Sequence, residues 1–307
     1  MRVAISGTNG LLGRHLTATL RAAGDQVLRL VRGTTADEPD TVAWDPTRGT
    51  IDAAALEGVD AVVHFAGAGI GDKRWTPERR EEVLTSRTQG TGLLAQTLAE
   101  VDRPPAVFVS SSAVGYYGDR GDDVLTEASP PGDGFLANLC VAWEQAAQPA
   151  REAGIRTVII RTGIVLTRTG GALPKMLPLF RFGLGGPFGS GRQWMSWIDL
   201  ADHVAAVRFL LGADGVEGPV NLTAPEPVTN KAFAKALGRA LHRPALLPIP
   251  KFGPRLVLGG DMAEEMLFAS QRARPEALLG AGFAFDHPTI DEGLADALST
   301  TTTEDAA

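Results

Sequence analysis

Seven residues, Gly7-Thr8-Asn9-Gly10-Leu11-Leu12-Gly13, constrain this chain more than any other part of it, because an apolar run, Arg2 to Ser6, precedes them and an amphipathic stretch, Leu11 to Ala23, follows. The order reads strand, glycine-rich turn, helix start. Glycine lacks a Cβ, so Gly7 can turn sharply, Gly10 can let a pyrophosphate approach the backbone, and Gly13 can seat the helix on its strand. The N–H groups at the helix start would then face the phosphates, with the positive end of the helix dipole behind them. Ordinary turns collect glycines too, but the flanking strand and helix favour a dinucleotide site.

Apolar runs recur at Gln26 to Val31, Thr41 to Trp44, Ala61 to Phe65, Ala106 to Ser110 and Thr157 to Arg161, separated by helical stretches such as Pro77 to Glu100 and Phe135 to Ala153. This alternation predicts an α/β chain, a doubly wound parallel sheet of Rossmann type. A ligand is expected at the C-terminal strand ends. Beyond Arg161 the chain becomes rich in Gly and Pro, and residues 168–193 read as an excursion away from the sheet. The chain then returns through a helix capped by Asp199 and a strand over Pro219 to Leu222. Residues 1–228 are read as the nucleotide-binding domain, 229–300 as a small, mainly helical cap, and 301–307 as a disordered tail.

With 307 residues, 44% of them hydrophobic, and a net charge of −7, a soluble protein with a large core is expected, with no general affinity for nucleic acid. A strand beginning at Arg2 leaves no space for a signal peptide, and no apolar stretch approaches a bilayer span, so a cytoplasmic location is expected. Cys140 is the single cysteine, and the five histidines do not fall at metal-ligand spacing, so no metal site is expected.

About 20 residues past a turn of this kind an acidic side chain ordinarily holds the ribose hydroxyls. Here the position reads Leu30-Val31-Arg32-Gly33, and a guanidinium suits a ribose phosphate, so Arg32 predicts NADP(H) in preference to NAD(H). The alternative makes Arg32 a solvated strand end, with Asp37 folding back onto the ribose. Phe65, Ala66 and Gly67, at the end of their strand, would let the adenosine lie against the backbone. Ser110, Ser111 and Ser112 place hydroxyls where a nicotinamide would lie, and Arg161, Gly163 and Ile164 at the next strand end complete the expected cofactor contacts.

The glycine turn, His64-x-Ala66-Gly67, Gly90-Thr91, the serine triplet and Trp197-Ile198-x-x-x-Asp202 together resemble the extended short-chain dehydrogenase/reductases, the group of nucleotide-sugar epimerases and dehydratases. Trp44-Asp45-Pro46, Arg74-Trp75, Ser86-Arg87-Thr88, Trp143-Glu144, Gly185-Gly186-Pro187 and the segment from Pro248 to Leu298 are similar to an atypical branch labelled YfcH-like or SulA-like, with its uncharacterised C-terminal domain. The superfamily's working pair is a tyrosine with a lysine four residues on. That resemblance places the two at Leu136 and Cys140, so the pair is absent, while Ser112 keeps the carbonyl-polarising position.

Tyr117 is the candidate relocated acid/base, with a packing role as its alternative. Arg87 replaces an expected asparagine and would reach a cofactor phosphate or form a surface salt bridge. His64 reads as a packed or hydrogen-bonded histidine, and Cys140 as a small apolar residue facing inward. Ala113, Asn138, Lys175, Arg192 and Trp194 are expected on the substrate side, although a tryptophan in the 194–197 segment serves equally well as core. Two functions follow: an NADP(H)-dependent oxidoreductase or epimerase on a small carbonyl or hydroxyl compound, nucleotide-linked in some members of such a group, or a non-catalytic NADP(H) sensor tied to cell division. Such domains pair through flank helices, which makes a homodimer an expectation.

Overall fold

The computed structural model describes residues 1–33 and 38–299; Asp37 and the 301–307 tail lie outside the described residues. Eight strands form the main sheet: β1 Arg2–Ser6, β2 Gln26–Arg32, β3 Thr41–Asp45, β4 Thr50–Ile51, β5 Ala61–His64, β6 Val107–Ala113, β7 Arg156–Thr162 and β8 Gly218–Leu222. Their order is β8-β7-β6-β5-β1-β2-β3-β4, and every neighbouring pair is parallel except β3 and β4. The chain winds from β1 to β3 on one side and from β5 to β8 on the other, so the order reverses between β1 and β5. That reversal opens a crevice at the C-terminal strand ends, directly above Gly7.

Solid apolar runs pack on both faces, as a covered parallel sheet requires. On one face Val3, Ile5, Val63, Val109, Val158, Ile160 and Val220 meet helix α1 (Leu11–Ala22), through Leu16 and Leu20, and the helix Leu200–Gly212, through Val204, Val207 and Leu210. On the other, Ala4, Leu28, Val62, Phe108 and Ile159 meet helix α2 (Pro77–Glu100) through Leu94, Ala95 and Leu98. Each such fully buried side chain contributes about 1.5–3 kcal/mol. Helix α2 begins as its sequence dictates: Thr76 caps it by accepting from the Arg79 N–H, and Pro77 occupies the first turn.

Among the elements that differ from the sequence reading, two belong to the main sheet and its covering helices. The helix expected over Phe135 to Ala153 is broken into α3 (Phe135–Gln145) and α4 (Gln148–Glu152). Pro149 is the cause, since in an unbroken helix its ring would collide with the Gln145 carbonyl and its N–H would be missing. Strand β4, two residues long, turns back antiparallel on β3 through the Asp45 side chain, which accepts from the Thr47 and Arg48 N–H groups.

A second core joins the 168–193 excursion to the C-terminal helices. Leu173, Leu177 and Phe180 of helix α5 (Leu173–Arg181) pack with Trp197, with Phe233 and Leu237 of the helix Asn230–Ala240, and with Ile290 and Leu294 of the last helix, Ile290–Ser299. Gly293 allows that last contact, because a Cβ there would stand 2.4 Å from the Trp197 ring. A π-helical turn, Glu264–Phe268, reaches back to the first core: the Glu265 carboxylate accepts from the Phe135 and Leu136 N–H groups and so caps α3. Among the described residues no helix is long and apolar enough to cross a membrane.

Candidate functional site

The glycine turn is a steric construction. Gly7 has φ +72°, and a Cβ on it would lie 2.9 Å from the Ala66 nitrogen; a Cβ on Gly13 would lie 2.2 Å from the Gly7 carbonyl oxygen. Gly10 donates its N–H to that same carbonyl at 2.9 Å and stands exposed beside Asn9, at the head of α1. No side chain caps this helix and no acidic residue sits in its first turn, so the N–H groups at Leu11, Leu12 and Gly13 are held for an external acceptor. Thr8 is buried under the turn. Cradle and uncapped helix fit a dinucleotide pyrophosphate.

Arg32 ends β2 exposed, with no ion pair among the described residues, whereas Arg29 on the same strand is paired with Glu38 at 2.6 Å. The Arg32 guanidinium stands exposed beside the crevice. On the other side of Gly7, the Ser6 hydroxyl accepts from the Phe65 and Ala66 N–H groups and holds His64 Nδ1 at 2.6 Å. His64 is fully buried and edge-on to Trp44; burial first, and the Arg87 charge second, push its pKa down to about 3. It is the packed, neutral histidine the sequence suggested. Arg87 forms no salt bridge among the described residues: it lies buried beneath Gly67, donates to the Ala68 and Val83 carbonyls, and stacks 4.8 Å from the Trp143 ring.

The serine triplet leads to a network the sequence did not disclose. Ser110 is fully buried, Ser111 donates to the His64 carbonyl at 2.8 Å, and Ser112 donates to Glu144 Oε1 at 2.7 Å. Arg161 grips the same carboxylate as a fork, Nε and Nη2 each at 2.9 Å, and its Nη1 reaches the Tyr117 hydroxyl at 3.1 Å. The guanidinium also lies 3.4 Å from the Tyr116 ring centroid. Two expectations are corrected here. Arg161 is not presented to a cofactor, because it is 3% exposed and spent on an internal ion pair. Tyr117 is not a relocated acid/base, because its buried hydroxyl is also held by the Asn221 side chain and the Thr126 carbonyl, and burial pushes its pKa up to about 12.

Leu136 and Cys140 face this network, since a Cβ on Gly115 would lie 3.2 Å from Leu136 Cβ and 3.9 Å from the Cys140 sulfur. The thiol donates to the Ala113 carbonyl, and burial, then the Glu144 charge, raise its pKa to about 11. Burial of this kind disfavours the reactive thiolate. Beyond the Trp143-Glu144 motif, the signal for Glu144 lay in its place one helical turn beyond Cys140, which puts it on the same side of α3.

The remaining candidates are more dispersed. Asn138 is exposed on α3, and Lys175 on α5 reaches across to the Gly71 carbonyl at 3.2 Å. Arg192 is exposed, and Trp194 is fastened to Asp122 through its indole N–H and stacked under Arg272, 4.2 Å from the ring centroid. Trp197 is wholly buried, so for that residue the core reading holds. Gly163 and Ile164 give their N–H groups to the Leu222 and Ser196 carbonyls, and a Cβ on Gly163 would stand 2.7 Å from the Ser196 oxygen. Strand packing thus accounts for that glycine without a ligand.

Residues 3–222 match the NAD dependent epimerase/dehydratase family. The chain belongs to that family. Residues 249–297 match a domain of unknown function, DUF1731. The epimerase family protein Mb2239 of Mycobacterium bovis is 47% identical over 292 residues, 95% of this chain and 96% of that protein. A crystal structure of human epimerase family protein SDR39U1 (isoform 2) with NADPH has a TM-score of 0.89 at 36% identity, covering 97% of this chain and 100% of that one. DesIV, the dTDP-glucose 4,6-dehydratase of Streptomyces venezuelae, shares the fold at a TM-score of 0.72 and 21% identity over 97% of this chain and 96% of its own.

Proposed function

We propose that this chain is an NADP(H)-dependent oxidoreductase or epimerase of the YfcH-like branch, exchanging hydride with a small carbonyl or hydroxyl compound. The observation that carries the reading is the uncapped, glycine-lined head of α1 with an exposed Arg32 at the neighbouring strand end. The NADPH in the human SDR39U1 structure supports it. The N–H groups of residues 10–13 would hold the pyrophosphate, Arg32 the ribose phosphate, and Phe65 to Gly67 the adenosine side. Bound there, the dinucleotide supplies the hydride acceptor or donor.

Ser112 then handles the proton. Its hydroxyl hydrogen is already given to Glu144, so its oxygen is left as an acceptor toward a substrate hydroxyl. As that hydroxyl gives its proton to Ser112, the serine passes its own to the Glu144 carboxylate; reduction runs the same path backwards. Arg161 holds the carboxylate in place through its fork. Glu144 also borders a 390 Å³ hollow lined by Gln148 and Arg151, which gives its proton a way to solvent. This relay does the work of the absent tyrosine and lysine.

The test follows NADPH absorbance with cofactor-loaded wild type and Ser112→Ala across a panel of small carbonyl compounds. Turnover with at least one compound, lost by about 10²-fold or more in Ser112→Ala, is the expected result. Silence across the panel, or turnover indifferent to Ser112, would overturn the reading.

A further inference from the structure

Outside the Ser112 network, the fold brings together three residues that are widely separated in the chain: Asp199 at the head of the helix Leu200–Gly212, His287, and Asp296 in the last helix. One potential ligand atom from each lies within 4.8 Å of the others. Asp199 has no solvent exposure, and its two oxygens differ. Oδ1 caps the helix by accepting from the Ala201 and Asp202 N–H groups, while Oδ2 has no hydrogen-bond partner. His287 Nδ1, shut off from solvent, also makes no hydrogen bond, although it lies 3.3 Å from Asp199 Oδ1. Two unsatisfied polar atoms in one buried cluster need an explanation.

We propose that Asp199, His287 and Asp296 form a binding site for a divalent transition ion of the Mn²⁺ or Zn²⁺ type, which staples the C-terminal segment to the nucleotide-binding sheet. One imidazole and two carboxylates suit such ions better than Ca²⁺ or Mg²⁺, which take oxygen ligands. Ligands about 2.1 Å from a shared tetrahedral ion stand about 3.4 Å apart. The group, within 4.8 Å as it stands, therefore has to close by up to about 1.4 Å, and His287 and Asp296 are both partly exposed.

The position of His287 is preset by Asp202, whose carboxylate accepts from the Asp286 and His287 N–H groups at 2.8 and 3.0 Å. Asp199 and Asp296 also wall a 630 Å³ cavity, which has room for water to complete the coordination. The proposal is independent of the cofactor reading, since no residue is shared between the two sites.

The experiment uses full-length protein stripped by chelator and dialysed. Mn²⁺ binding is followed by electron paramagnetic resonance, Zn²⁺ binding by calorimetry, and diethyl pyrocarbonate modification of His287 by mass spectrometry with and without Zn²⁺. One ion per chain is expected, weakened about tenfold or more by Asp296→Asn and by His287→Gln, with His287 protected by Zn²⁺ in the wild type. The protection readout stands even where a variant fails to fold. No saturable binding, binding unchanged in folded variants, or unaltered His287 modification would show that the imidazole merely pairs with Asp199, and would overturn the proposal.

Discussion

The Glu144 carboxylate sets the character of the site, because Ser112, Arg161 and the Cys140 thiol all respond to it. A buried ion pair is costly to break from one side only, since the survivor is left charged and unpaired, at about 3–5 kcal/mol. Urea denaturation should show Glu144→Gln and Arg161→Met each destabilising by several kcal/mol, and the double variant losing less than the sum of the two. Additive losses would mean that the fork contributes nothing as a pair. Acid stability belongs to the histidines. His203, fully buried, is pushed down to about 3 by burial, as His64 is by burial and Arg87. Their folded values lie below the unfolded value of about 6.5, so what they contribute is complete above pH 6.5 and is lost as pH falls from there toward 3. His203→Leu should therefore flatten the decline of the urea midpoint between pH 6 and 4; an unchanged slope would contradict this.

The turn between β1 and α1 is the element on which the most depends. Gly13→Ala would drive a Cβ to 2.2 Å from the Gly7 carbonyl, which only a displaced turn can relieve, whereas at Gly10 the nearest atom would be 3.2 Å away. Gly13→Ala should thus lower stability by about 1–3 kcal/mol and weaken NADPH binding more than Gly10→Ala weakens the fold; denaturation and cofactor titration of both variants read this directly. Strands of this kind are legible in sequence because burial on both faces makes them apolar throughout, and the glycine turn is legible because its steric demands admit no other residue. Strand β4 escaped notice because two residues carry no periodicity. The break at Pro149 was missed because the apolar pattern runs on past a residue that cannot sit inside a helix. Glu144, Arg161 and Ser112 come from α3, β7 and β6, and no local pattern announces contacts between separate elements.

Across the whole molecule, the C-terminal segment acts on the nucleotide-binding part rather than hanging from it. Glu265 caps the helix that bears Glu144, and Gly293 lets the last helix rest on Trp197. The excursion of residues 168–193, an irregular stretch in sequence, becomes one wall of the core that binds these pieces together. What the assembled crevice offers is a cradle for phosphates with Arg32, which has no ion pair among the described residues, at the edge where a ribose phosphate would lie. Titration of NADPH and NADH against wild type and Arg32→Asp, read by calorimetry, tests that claim directly. A charge-assisted contact contributes about 1.5–3 kcal/mol, so the wild type should bind NADPH about 10- to 100-fold more tightly than NADH, and Arg32→Asp should abolish or reverse the preference. Equal affinity for the two cofactors in the wild type, or a preference that survives Arg32→Asp, would contradict the account.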